Sequence, residues 1–254
     1  MEKIIIVLFG LAWGSFLNVV IYRLPRGQSL AWPPSACPDC RARIKPRDNI
    51  PLLSYLLLRG KCRVCGSKIS PVYPLVEAVT AACFLLLHGP FALSVHFFAS
   101  GLFSSALIVL CFIDLSHQIL PDEITLPGLA LALVYSGFRP DLGLRQSLVG
   151  AVTGAGFLLV IYSVYRVLRK KEGLGMGDVT MMLLVGAFLG WQKAFFTLLL
   201  ASLVGALVGI FLMSCRKKDL QYSLPFGTFL APAAFIALVW GDRIIRAYLS
   251  LYKR

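Results

Sequence analysis

Residues Ala78 to Asp114 read AVTAACFLLLHGPFALSVHFFASGLFSSALIVLCFID, and none of the 36 residues before the closing aspartate is Asp, Glu, Lys or Arg. A membrane-spanning helix needs about 20 mostly apolar residues, with a range of roughly 17–25. The run is too long for one such helix and suits two. His88-Gly89-Pro90 is the natural break, so two helices joined by a tight turn are expected there. Outward from it, further apolar runs cover Ile4–Tyr22, Ile124–Phe138, Ser147–Val167, Val179–Trp191, Ala194–Cys215 and Pro225–Trp240. The runs at 124–138 and 179–191 are short, and each adjoins an acidic residue. The expected fold is an all-α polytopic membrane protein with about eight transmembrane helices. A single polar stretch, 24–71, is long enough to form a small loop domain.

Composition agrees. The chain is 58% hydrophobic and 15% charged, with a mean hydropathy of +0.78. A soluble domain is nearer half apolar and about a quarter charged. Met1-Glu2-Lys3 leads into the first apolar run, which has no small-residue cleavage site and is stopped by Arg23-Leu24-Pro25-Arg26. It reads as a retained first span, 1–23, rather than a removable leader. No internal repeat or low-complexity segment is present.

The net charge of +13 lies between apolar blocks rather than on a separate basic domain. That argues for a membrane partner and against nucleic acid. Basic clusters occur at 23–68, 169–171 and 216–218. If the 24–71 loop is cytoplasmic, the N-terminus lies outside and alternation puts 114–123 and all three clusters on the cytoplasmic side. The tail carrying Arg243, Arg246, Lys253 and Arg254 then falls outside, against the bias.

Cysteine usage points to metal. Of seven cysteines, four form two knuckles, Cys37-Pro38-Asp39-Cys40 and Cys62-Arg63-Val64-Cys65, with 21 residues between them. This is close to the tetracysteine zinc pattern. Disulfides are disfavoured in a reducing cytoplasm, and a short loop with little core gains its fold from a structural ion. Unligated thiols are the alternative. Cys83, Cys111 and Cys215 lie in apolar runs and read as small buried hydrophobes.

Twelve acidic residues allow each to be weighed. Glu2, Asp39, Asp48, Asp141, Glu172, Asp219 and Asp242 read as solvated charges. Asp114 and Asp178 abut apolar spans, where an ionisable group is costly and points to function. The topology places both at the cytoplasmic face. Two carboxyls in one low-dielectric pocket titrate as a unit and supply a base and an acid, the equipment of an aspartic peptidase. Gly175 and Gly177 would let backbone approach closely and adopt positive φ beside Asp178. The alternative is that Asp178 caps a helix and Asp114 pairs with an arginine. Asp122 and Glu123, after Pro121, look like a helix N-terminus.

The ordered motifs point further. They are Gly14-Ser15-Phe16-Leu17-Asn18 through Tyr22-Arg23-Leu24-Pro25; the two knuckles with Asn49-Ile50-Pro51-Leu52-Leu53-Ser54-Tyr55 between them; and Ser70-Pro71-Val72-Tyr73-Pro74-Leu75-Val76-Glu77. Asp114 with Leu120-Pro121-Asp122, then Gly175-Met176-Gly177-Asp178, and Leu224-Pro225-Phe226-Gly227 complete the set. Over nearly its whole length the chain resembles the type IV prepilin leader peptidases, GxGD membrane aspartic peptidases of the bacterial inner membrane. The resemblance implies catalytic aspartates at Asp114 and Asp178 in a peptidase domain over 72–254. Its substrates would be prepilins or type II secretion pseudopilins, cut after a glycine that ends a short basic leader. It also implies methylation of the new N-terminus from S-adenosylmethionine, associated with the 24–71 loop. Glu77, at the cytoplasmic entrance of the second span, is a candidate to bind the incoming amine; pairing with a loop cation is the alternative. The family often has lysine two residues after the GxGD aspartate, and Thr180 stands there instead. Two other classes compete: a transporter relaying protons through Asp114 and Asp178, and a non-enzymatic assembly subunit docking partners through its zinc loop.

Overall fold

The computed structural model describes residues 1–169, 175–216 and 224–252. The basic residues Lys170, Lys171, Lys217, Lys218, Lys253 and Arg254, with Glu172 and Asp219, lie outside them. Among the described residues the chain is all helical. Six helices are long and apolar enough to cross a membrane: α1 (Glu2–Arg23), α3 (Val72–Phe91), α4 (Val95–His117), α6 (Gly143–Arg169), α8 (Trp191–Arg216) and α9 (Gly227–Tyr252). α5 (Asp122–Ser136) and α7 (Met176–Leu189) are shorter, at 15 and 14 residues. About eight spans were expected from the sequence; six helices qualify by length and composition, α7 is a shorter apolar helix, and α5 covers the other short run. The protein is a multi-pass membrane protein. The only other α-helix among the described residues is the short α2 (Leu53–Leu57).

Packing divides the chain into two units, Met1–Val109 and Leu110–Arg254. In the first, α1 lies tightly on α3. A Cβ built on Gly10 would meet Ala81 Cα at 2.7 Å, and one on Gly14 would meet Glu77 Cα at 2.8 Å. Small residues allow this approach where lipid supplies no hydrophobic drive between helices. Trp13 Nε1 donates to Ser105 Oγ of α4 at 2.9 Å, and Phe84 packs edge-on against Phe9 and Phe97.

In the second unit α7 is the central element. From Val179 to Leu189, all but Thr180 and Leu183 are buried. A helix so enclosed must have its terminal backbone groups satisfied within the protein. Arg139 Nη1 donates to the Phe188 carbonyl at 2.9 Å and Ser147 Oγ to that of Ala187 at 2.6 Å. α6 packs against α7 through Gly150 and Gly186. A Cβ on either would overlap the other's carbonyl oxygen.

Three sequence expectations are corrected. α3 continues through His88-Gly89-Pro90, and the turn falls at Ala92, with φ 46°. Pro90 forgoes its own backbone bond, and the helix ends one residue later, at Phe91. α3 begins at Val72, so Glu77 stands in its second turn, near the loop end of the helix. α9 runs to Tyr252, so Arg243 and Arg246 belong to the helix. Of the three cysteines read as buried hydrophobes, Cys83 is buried, Cys111 half-buried and Cys215 exposed.

The α6–α7 contact yields a paired test. Gly186→Val should lower stability in detergent by roughly 1–3 kcal/mol or more, since overpacking forces backbone shifts. Gly156→Ala, where an added Cβ meets nothing within 4 Å, should change stability by no more than about 0.5 kcal/mol. Equal thermal midpoints for the two variants would contradict the packing described.

Candidate functional site

Asp114 stands in the last turn of α4, where a helix end carries partial negative charge and disfavours a carboxylate. It is buried, and a second helix offsets that disadvantage. Its Oδ2 accepts a hydrogen bond from the backbone N–H of Thr228 at 2.7 Å and another from Thr228 Oγ1 at 3.1 Å. Thr228 is the second residue of α9, so its N–H is one of the first-turn donors with no partner inside its own helix. Asp114 thus closes the N-terminus of α9 from a distant part of the chain. The neighbouring Gly227 permits this contact. A Cβ there would meet Asp114 Oδ2 at 2.9 Å and Leu120 at 3.0 Å.

Asp178 is reached through the same leucine. It is the third residue of α7 and buried, and its Oδ2 accepts from the Gly175 N–H at 3.3 Å. This is the return bond of a capping box, so the helix-cap role is real. A Cβ on Gly177 would meet Leu120 Cβ at 2.8 Å. Leu120, in the turn between α4 and α5, therefore packs on the N-termini of both α7 and α9. Leu120 thus joins the helix ends that carry the two carboxyls. Both face helix N-termini, each of which favours negative charge.

The close approach expected at the glycines holds at Gly177. The positive φ does not: Gly175 has φ −74° and Gly177 is helical. Thr180 Oγ1 donates to Gly177 O at 3.0 Å, so the residue in the lysine position is tied back to its own helix. Asp122 and Glu123 do open a helix, in the first turn of α5.

The first unit holds the other candidates. Glu77 is buried and its Oε2 accepts from the Leu52 N–H at 2.8 Å. Asn18 Nδ2 donates to the Tyr73 carbonyl at 3.0 Å, and the Arg23 guanidinium binds the carbonyls of Ser29 and Pro33. These bonds tie the start and the middle of the polar loop to α1 and α3, and the two helices to each other.

The four knuckle cysteines converge. Their sulfurs all lie within 4.8 Å of one another, with Cys37–Cys65 at 3.9 Å and Cys40–Cys62 at 4.0 Å. A tetrahedral zinc with Zn–S near 2.3 Å needs S···S edges of about 3.8 Å. The four sulfurs therefore fit a closed tetrahedral metal site. Both knuckles are built alike. Cys37 N donates to Ala42 O and Cys62 N to Ser67 O, and a left-handed residue, Arg41 or Gly66, follows each second cysteine. The Cys37 thiol is lowered to about 6, chiefly by the Cys40 N–H, which prepares one thiolate. Cys40 is pushed up to about 11; the Ala42 N–H lowers it, but desolvation and the neighbouring sulfurs outweigh that. Arg63 and Asp48 form a bidentate pair, at 2.6 and 3.0 Å. It joins the second knuckle to the spacer and holds the Asp48 carboxyl below the usual range.

Sequence reasoning missed Thr228, Leu120 and Leu52. The Leu224-Pro225-Phe226-Gly227 motif and Leu120-Pro121-Asp122 marked the right places. Leu120 and Leu52 stand inside quoted motifs and Thr228 directly after one, but a leucine or a threonine carries no chemical signature of its own.

The profile of the Bacterial Peptidase A24 N-terminal domain matches residues 8–91, and that of the Type IV leader peptidase family matches 101–210. The chain is 39% identical to a prepilin leader peptidase/N-methyltransferase of Pseudomonas aeruginosa, covering 96% of this chain and 92% of that protein. A protein of the same name from Aeromonas hydrophila is 40% identical over 97% and 93%, and one from Klebsiella pneumoniae 45% over 77% and 88%. No solved structure matches the chain.

The sulfur geometry predicts one divalent metal ion per purified chain by elemental analysis. Cys62→Ser should reduce that occupancy strongly. Metal-free wild-type protein, purified without chelator, would contradict the reading.

Proposed function

This chain belongs to the type IV leader peptidase family, and we propose that it removes the leader from prepilins or pseudopilins and methylates the new N-terminal residue. The observation that carries this reading is the pair of buried carboxyls, Asp114 and Asp178, held at adjoining helix N-termini around Leu120.

Peptide hydrolysis needs a base to draw a proton from water and an acid to polarise the carbonyl. Asp114, whose Oδ2 already accepts two hydrogen bonds from Thr228, is best prepared to carry the negative charge and serve as the base. Asp178 then carries the proton and donates it toward the carbonyl oxygen, and the two exchange roles as the tetrahedral intermediate collapses. The site faces the cytoplasm of a bacterial inner membrane. Supporting this, the 24–71 loop carries nine Lys or Arg against two acids, the bias of a cytoplasmic loop. The peptidase domain is 72–254. The substrate is cut after the glycine that ends its basic leader.

Methylation is assigned to the tetracysteine loop and its helical supports. Glu77 offers a buried carboxylate to bind the incoming α-amine and accept its proton. S-adenosylmethionine would supply the methyl group. Zinc, in the Cys37, Cys40, Cys62, Cys65 site, holds the loop in shape and takes no part in either reaction.

In a processing assay, Asp114→Asn and Asp178→Asn should each slow cleavage by roughly a hundredfold to ten-thousandfold. Both variants should still methylate pilin supplied without its leader. Normal cleavage by either variant would refute the assignment. Thr228→Val keeps the backbone donor but loses the hydroxyl, and should cost about tenfold in cleavage rate. Glu77→Gln should depress methylation far more than cleavage; an equal effect on both would remove Glu77 from the transfer step.

A further inference from the structure

Between the second knuckle and α3 lies a cavity of about 390 Å³, lined by Tyr55, Arg59, Lys61, Lys68, Ser70 and Pro71 among others. Lys61 and Lys68 face each other across an isolated antiparallel bridge. Like charges directly opposite one another are destabilising. Both side chains are exposed, as is Arg59, and among the described residues none of the three has an acidic partner. Three cations converging on a cavity without a carboxylate call for an anion.

The position of the cavity indicates which anion. Pro71 immediately precedes Val72, the first residue of a helix long and apolar enough to span the bilayer. The cavity is therefore at the level of the lipid headgroups. α2 lies at the same level, because Leu52, just before it, donates to Glu77 in the second turn of α3. α2 exposes Leu53, Leu56 and Leu57, the last two at 71% and 72%. Bare leucines are unfavourable in water and favourable at the boundary of acyl chains.

We propose that α2 and the adjoining basic cavity form an anionic-lipid site, with the leucines in the acyl boundary and a lipid phosphate held by Arg59, Lys61 and Lys68. Cations at this level are drawn to an anionic bilayer surface. The tetracysteine loop is thereby held against the membrane by lipid as well as by its covalent ends. The site is independent of either proposed activity.

Native mass spectrometry of the full-length protein released from detergent gives the test. The probes are dioctanoyl phosphatidylglycerol, dioctanoyl phosphatidylcholine and inorganic phosphate. The glycerol lipid should bind at least about tenfold tighter than the choline lipid or free phosphate, and Arg59→Gln/Lys61→Gln/Lys68→Gln should weaken it at least about tenfold. Equal binding of both lipids, or no loss in the triple variant, overturns the proposal. Free phosphate binding as tightly as the lipid also overturns it, since that describes a soluble-anion site. If the triple variant fails to fold, Lys68→Gln against Lys68→Arg decides. Retention of lipid by Arg and weakening by Gln support the site, and equal behaviour refutes it.

Discussion

The hydrogen bonds from Thr228 to Asp114 are the constraint on which the second unit depends. A carboxylate in the last turn of α4 is poorly placed with respect to its own helix and well placed with respect to α9. That trade brings α9 onto the end of α4. Leu120, directly after α4, then has glycine on two sides, and through Gly177 it packs against the start of α7. A larger residue at 177 or 227 would separate the elements that carry the two acids. The two acids are thus held by three helix ends, two of them N-termini, closing on one leucine.

Much of this was legible in the sequence. Length and polarity fix which segments can lie in lipid, so the six long apolar helices, the shorter α7 and the tetracysteine loop could be read from runs and spacing. Asp114 and Asp178 were conspicuous because charge beside an apolar run is costly. Less was visible where the outcome depended on a distant partner. Nothing local in Thr228 reveals that it serves a residue 114 positions earlier, and nothing in Leu52 reveals that its N–H reaches Glu77. Pro90 marked the break slightly early, because its lost N–H bond and ring disturb only the turn before it, and α3 runs on to Phe91. The expected φ at Gly175 failed for a related reason. At φ −74° the backbone of Gly175 is ordinary, and it is Gly177 whose missing side chain matters, since a Cβ there would meet Leu120 at 2.8 Å.

The first unit is built on the opposite plan. Its membrane part is a close helix pair locked by Gly10 and Gly14, and its polar part has almost no apolar core. The loop is organised by four converging sulfurs, the Arg63–Asp48 pair and anchors from Arg23 and Glu77. A structure of this kind follows its ligands. That explains why so many backbone donors there are matched by side chains and carbonyls rather than by regular secondary structure.

The most direct measurement is mass spectrometry of the pilin N-terminus after prepilin is incubated with the purified chain and S-adenosylmethionine. The account predicts a product that has lost its leader after the glycine and carries one added methyl on the new α-amine. An intact precursor under conditions in which the protein is folded and metal-loaded would contradict it.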